Sequence, residues 1–463
     1  MTELDQVINA LFPDILRSVQ ESVRIPSVLG EPRQGKPFGE EIDRALCHAL
    51  ETARSLGLRT GNLGGYVGYA EYGEGPETVA VLGHLDVVPA GSGWTRPPFD
   101  AVLEGDRLYG RGTVDDKGPI IGALWILHCL DRCGIVPGRR IRVLLGTDEE
   151  SGRRDMPRYL AEEKAPHCGF TPDGAFPVVN AEKGQLRLSL SRQLSEGDAV
   201  RLVAFEGGTV INAVPGEASA TLASGAFSPE RLIAALRATA RKNGCEARIS
   251  GTGSLVSLTV KGRSAHGSTP ELGVNALPLL AGLLVETFPE EPWAPVLERT
   301  ASLLLGDTEG RGLGIAAEDA PSGRLTCNAG LASLKNGHLS VSLDIRHPVT
   351  FDQKELLRAV EVRALEEGYA VSVLRKAPPL WIPEDAEPVG TLLRVYREQT
   401  REDARPLSMG GGTYAKSLPR TVAFGPRFPG CPDLAHQPDE YLIFEEYLRL
   451  LRIMGAAMVA LSS

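Results

Sequence analysis

Two histidines and several carboxylates in this sequence are placed where metal ligands and proton carriers could meet. His84 and Asp86 form a His-x-Asp pair, and a histidine that ligates a metal through one ring nitrogen commonly donates the other N–H to a carboxylate. Asp115 and Asp116 follow the glycines of GRGTVDDKG, Glu149 and Glu150 lie in TDEESG, Asp173 in TPDGAFP and His436 in GCPDLAHQPDEY. Each has a plainer reading on its own: loop or capping polarity for the histidine pair, an acidic N-cap for the aspartates, a solvated turn for the glutamates, turn chemistry for the rest. Together they offer several carboxylates and two histidines from one domain, with no matching set of cysteines. Such oxygen and imidazole donors suit two zinc ions, or manganese, sharing a bridging carboxylate.

The elements that must hold these residues are legible nearby. Residues 78–84 (TVAVLGH) read as a β-branched strand buried on both faces, which delivers His84 to its carboxyl end. A helix is expected after Asp115 and Asp116, with Pro119 in the first turn, where proline is tolerated. Residues 140–146 (RIRVLLG) repeat the buried-strand pattern and run directly into TDEESG. Strand, helix, strand with polar strand ends predicts an α/β fold with a doubly wound, mostly parallel sheet, whose ligands bind beyond the carboxyl ends of the strands. Past Glu182 the texture changes to apolar–polar alternation, as in QLRLSLSRQL and GSLVSLTVKG, which predicts antiparallel strands. That stretch is expected to be an inserted α+β domain over 183–383, made of two ferredoxin-like halves with helices such as Pro229–Lys242 and Asp352–Glu367. The catalytic domain then comprises 1–182 and 384–463.

At 463 residues the chain exceeds one ordinary core, so two domains are the default. Its 42% hydrophobic and 23% charged residues are those of a globular protein. A net charge of -10 argues against nucleic acid or an anionic membrane as partner. Seven scattered cysteines with no CxxC pair suggest neither a disulfide framework nor a thiolate metal site, and point to a reducing cytoplasm. The first twenty residues read as an amphipathic helix rather than an export signal, and no segment approaches the roughly 18 apolar residues of a membrane span.

HLDVVPAG, GRGTVDDKGP, GTDEESG, SAHGSTPELGVNA, LDIRHP and GGGTYA with AFGPRFPGCPDLAHQPDEY follow one another along nearly the whole chain. In that order they resemble the metallopeptidase family of aminoacylase, carnosinase, carboxypeptidase G and succinyl-diaminopimelate desuccinylase, most of all its bacterial dipeptidase branch, peptidase V. The resemblance implies that Asp115 bridges the two metals and is joined to Asp116 by a cis peptide. His84 and Asp173 would complete one metal, Glu150 and His436 the other, and Asp86 would orient His84. Glu149 would be the general base, taking a proton from the metal-bridging water and returning one to the leaving amine.

From the inserted lid, His266 would stabilise the oxyanion, although by its surroundings alone it is a surface histidine before a helix starting near Glu271. Arg346 would take the substrate's free carboxylate, with Asn212 and, less directly, Asn328 as companions. The glycine cluster lacks the GK[ST] of a phosphate cradle, so Gly411, Gly412 and Thr413 are taken as donors near the substrate's C-terminal end. The implied activity is hydrolysis of dipeptides with a free C-terminal carboxylate, with N-acyl-amino-acid hydrolysis as the alternative and a silent binding protein behind both. An insert of about 200 residues is roughly twice one such lid, and in the peptidase V branch the second half replaces a partner subunit, so a monomer is expected.

Overall fold

The apolar runs become buried strands. Thr78–His84 is buried at every position and Arg140–Gly146 at all but its first, the pattern of strands covered on both faces. The computed structural model describes residues 2–463 and divides into two compact units. One comprises the chain up to Asn180 together with Trp381–Leu407 and Gly412–Ser463; the other comprises Ala181–Leu380 with Ser408–Gly411.

In the first unit, six strands lie in the order Arg59–Asn62, Val67–Tyr72, Arg140–Gly146, Thr78–His84, Cys168–Thr171 and Thr421–Ala423. The first three pair antiparallel and the last four pair parallel, so the expected doubly wound α/β sheet is present with an antiparallel margin. Helix Lys117–Arg132 carries Pro119 in its first turn and packs on both central strands, with Glu3–Val23 and Phe444–Ser462 against it. The N-terminal helix is amphipathic as read, and Thr2 and Asp5 close a capping box at its start. Among the described residues no helix is long and apolar enough to cross a membrane.

The second unit is built on one antiparallel sheet of eight strands. Ala247–Thr252, Leu255–Lys261, Glu217–Ser224 and Val200–Gly207 form one half; Thr326–Lys335, His338–His347, Gly184–Gln193 and Ala370–Ala377 form the other. The two halves are not separate sheets but join through the pairs Glu206↔Ser333 and Gly207↔Ala332. Alternation in QLRLSLSRQL sets the faces: Leu186, Leu188 and Leu190 are fully buried, each contributing about 1.5–3 kcal/mol of apolar burial. Helix Pro229–Lys242 has the expected bounds, with Ser228 as N-cap; the second is Gln353–Glu366, capped by the Asp352 carboxylate. The helix expected near Glu271 starts later, because Pro270–Leu272 makes only a short 3-10 turn and Asn275 caps Ala276–Thr287.

Candidate metal centre

Three neighbouring parallel strands set the site. Thr78–His84 lies between Arg140–Gly146 and Cys168–Thr171, with His84 opposite Gly146, so His84, Glu149, Glu150 and Asp173 all emerge at the strands' carboxyl ends. The chain passes from Thr78–His84 to one neighbour and later returns on the other side, which is where crevices open in such sheets. Glycine at position 83 is required, since an added Cβ would lie 2.3 Å from Asp116 Oδ2. Asp116 uses that space to accept the His84 backbone N–H at 3.2 Å, and so faces away from the ligand role. The Asp115–Asp116 peptide is cis.

All five expected ligands gather there. Asp115 Oδ1 is 3.0 Å from His84 Nε2, and Asp115 Oδ2 is 3.1 Å from His436 Nε2, so its two oxygens serve one histidine each. His436 Nε2 also lies 2.9 Å from Glu150 Oε1. Two sets of donor atoms, one from His84, Asp115 and Asp173 and one from Asp115, Glu150 and His436, each lie within 4.8 Å of one another. Hydrogen bonds to Asp115 and Glu150 push His436 up to about 10. His84 is raised well above its ordinary value, because Asp115 and Asp86 outweigh the cost of its complete burial. Asp173 is also raised, by burial and then by the charges of Glu149 and Asp115. A buried group of carboxylates that repel one another and draw protons onto their histidines is a donor set suited to divalent cations.

Further carboxylates hold the loops that carry these donors by accepting their backbone amides. Asp86 holds the His84 ring with its backbone carbonyl, 2.9 Å from Nδ1, while its carboxylate lies 3.5 Å away. That carboxylate instead accepts the N–H groups of Glu149 (3.2 Å) and Glu150 (3.0 Å), fixing the two adjacent glutamates together. Sequence reasoning missed Glu440. It is fully buried, accepts the N–H groups of Gly112, Val114 and Asp115 at 2.8–3.2 Å, and pairs with buried Arg111 at 2.8 Å. It also missed Asp155, which accepts the N–H groups of Thr147 and Asp148 and the Tyr414 hydroxyl. An acid directly followed by apolar residues, as in PDEYLI and RRDMP, is the only signal for either. Lys117, buried and pushed down to about 7 by desolvation, donates to the carbonyls of Ser22 and Ile25 and anchors the turn after Asp116.

Gly412 and Thr413 belong to this unit, where their carbonyl oxygens accept from Arg153 at 3.1 and 2.8 Å. Thr413 Oγ1 accepts the Ala415 N–H. A third group of donors, His167, Cys168 and Glu387, sits at the opposite end of the Cys168–Thr171 strand. Burial pushes the Cys168 thiol up to about 12, and His167 Nε2 already lies 3.3 Å from Glu387 Oε2, so this group reads as a hydrogen-bonded histidine and carboxylate beside a protonated thiol.

The second unit holds His266, Asn212, Arg346 and Gly411. His266 Nδ1 accepts the Ser268 N–H at 3.2 Å and lies 2.7 Å from Ser268 Oγ, which leaves the ring hydrogen on Nε2. Burial and the nearby Arg346 lower its pKa, favouring the neutral ring. The Asn212 carbonyl accepts the Gly267 N–H at 2.7 Å and so fixes the His266 loop. Asn328 donates to the carbonyls of Ile211 and Ala213, supporting the same loop from below. Arg346 grips buried Asp344 through Nε (3.1 Å) and Nη2 (2.8 Å) and donates from Nη1 to the Gly410 carbonyl at 3.0 Å.

Known proteins share this sequence and fold. A protein of Bacillus subtilis (strain 168) named "Putative dipeptidase YtjP" is 39% identical over 459 residues, covering 97% of each chain. One of Staphylococcus aureus (strain bovine RF122 / ET3-1), named "Putative dipeptidase SAB1611c", is 30% identical over 463 residues, covering 99% of this chain and 97% of its own. The crystal structure of human carnosine dipeptidase 1 shares the fold at a TM-score of 0.56 and 16% identity, covering 99% of this chain and 98% of that one. The model of peptidase family M20/M25/M40 matches residues 80–460. The chain therefore belongs to peptidase family M20/M25/M40, a family of metal-dependent hydrolases of peptide bonds.

Proposed function

We propose that this protein is a dipeptidase that hydrolyses short peptides with a free C-terminal carboxylate, using two divalent cations, zinc or alternatively manganese. The observation that carries the reading is the divided Asp115 carboxylate, one oxygen toward His84 and the other toward His436, at the meeting point of two three-residue donor sets. His84 and Asp173 would hold one ion with Asp115, and Glu150 and His436 the other. Cations held there supply positive charge that polarises the scissile carbonyl and makes water more acidic.

The protein's own groups do the rest. Glu149 takes a proton from the attacking water and hands one to the departing amine, while its neighbour Glu150 is committed as a ligand. Asp86 holds both glutamates by their amides. His266, with hydrogen on Nε2, donates to the oxyanion as the carbonyl becomes tetrahedral. Arg346 and the donors of Gly411, Gly412 and Thr413 receive the substrate's carboxylate, Arg346 already being oriented by Asp344 and Gly410. Names of relatives support dipeptides as the substrates. Seven free cysteines support a reducing cytoplasmic location, and a double-sized insert supports a monomer, which light scattering tests.

The experiment is a hydrolysis panel of dipeptides, their C-terminal amides and N-acyl amino acids, run with zinc and with manganese. Dipeptides are expected to be the best substrates, and amidation to lower kcat/KM by about tenfold or more. Preferential turnover of N-acyl amino acids would replace the dipeptidase reading. Activity that survives complete removal of divalent metal would end the metal-centred one.

A further inference from the structure

Arg153 is in contact with Glu149. Its Nη2 forms a short ion pair with Glu149 Oε1 and also donates to the Gly412 carbonyl at 3.1 Å, while Nη1 donates to the Thr413 carbonyl at 2.8 Å. The neighbouring Arg154 is explained differently: it is more than half exposed and forms a fork with Asp148. Arg153 has φ of 57°, a left-handed conformation that glycine accepts far more readily. Gly152 stands one position earlier, yet the positive φ falls on the arginine, closed by its N–H to the Asp148 carbonyl at 2.6 Å. An outlier of this kind persists where the surroundings over-determine it, and here they include a carboxylate and two carbonyls.

We propose that Arg153 is the positioning residue for Glu149: anchored on the carbonyls of Gly412 and Thr413, it holds one oxygen of the carboxylate and leaves the other for the proton of the attacking water. The proposal rests on Glu149 being the general base. It also ties the base to the glycine cluster, so that the loop meant to receive the substrate's end and the group that moves the proton share one guanidinium. A planar fork can span three acceptors in this way; a lysine offers a single point.

The test is a double-mutant cycle on the metal-loaded enzyme, reading kcat, KM and bound metal for R153M, R153K, E149A and E149A/R153M. R153M is expected to lower kcat between about 10- and 100-fold, with KM and metal content within about twofold of wild type, as misplacing a catalytic group does. R153K should recover part of the loss. In the E149A background, R153M should change kcat by less than about twofold, because the group it positions is gone. Wild-type kcat in R153M overturns the proposal. So does an equal loss in both backgrounds, which would mean that Arg153 serves the Gly412–Thr413 loop alone. Near-wild-type kcat in E149A itself would overturn the general-base reading and the proposal with it.

Discussion

Glu440→Gln changes one atom and isolates the support beneath Asp115. The wild-type carboxylate accepts the amides of Gly112, Val114 and Asp115 and pairs with Arg111, whose side chain is 2% exposed. Glutamine keeps a single acceptor oxygen. If that oxygen faces the amides, the new NH2 meets the guanidinium and leaves a buried cation unpaired, at a cost of about 3–5 kcal/mol. If it faces Arg111, at least two charge-assisted amide bonds are lost at about 1.5–3 kcal/mol each. Either orientation gives a similar loss. Because the Asp115 amide is among the donors, part of it should appear as metal affinity lowered by about 10–100-fold, as for other groups that hold a ligand in place. Chelator competition measures the affinity, and calorimetric melting with and without metal measures the stability. Adding Arg111→Met removes the stranded cation, so the double variant should recover stability but not metal affinity. An affinity within twofold of wild type with an unchanged melting midpoint would refute the reasoning.

The two adjacent glutamates should separate cleanly: Glu149→Ala is expected to keep its metal and lose activity by about two orders of magnitude or more, whereas Glu150→Ala loses metal first, as metal analysis after dialysis would show. Arg346→Met should lower kcat/KM for free dipeptides by about 10–100-fold while leaving their C-terminal amides nearly unaffected, so the discrimination between the two collapses in a paired assay. In the metal-free protein His436 is pushed up to about 10 and so carries a proton at neutral pH that a cation must displace, and the raised His84 adds to the competition in the same direction. Metal uptake should therefore release protons and weaken as pH falls below about 10, the value of His436, which calorimetry in buffers of differing ionisation enthalpy detects.

Much of the centre was legible because several of the expected ligands follow a feature that one sequence window encodes. Burial on both faces marks Thr78–His84 and Arg140–Gly146 as central strands, and their ends fix where His84, Glu149 and Glu150 emerge. His436 has no such strand before it, and only the order of motifs singled it out. Its φ of 64° shows why: the loop takes a conformation that its residue types do not announce. Glu440 was illegible for a different reason, since its partner Arg111 lies 329 residues away and no local window distinguishes a buried acid from a turn. Alternation likewise fixed which face of Gly184–Gln193 is buried, yet not that two halves merge into one sheet through two residue pairs.

The supporting residues have a common physical logic. Asp86, Asp155 and Glu440 each accept backbone amides from the loops that carry Glu149 and Glu150, Thr147 and Asp148, or Asp115. Each brings another acid to a place already crowded with carboxylates, where burial and like charges raise Asp173 well above its ordinary value, Asp155 to about 6 and Glu440 to about 7. A fold selected only for stability would gain from replacing such groups with apolar ones, because burying charge beside like charge costs more than amide bonds return. That cost falls once cations occupy the site, since binding to the folded chain alone adds about 2.7 kcal/mol at a hundredfold excess over Kd. Cations held there would therefore stabilise the folded chain as well as serve the chemistry, and the melting midpoint should rise as divalent metal is added.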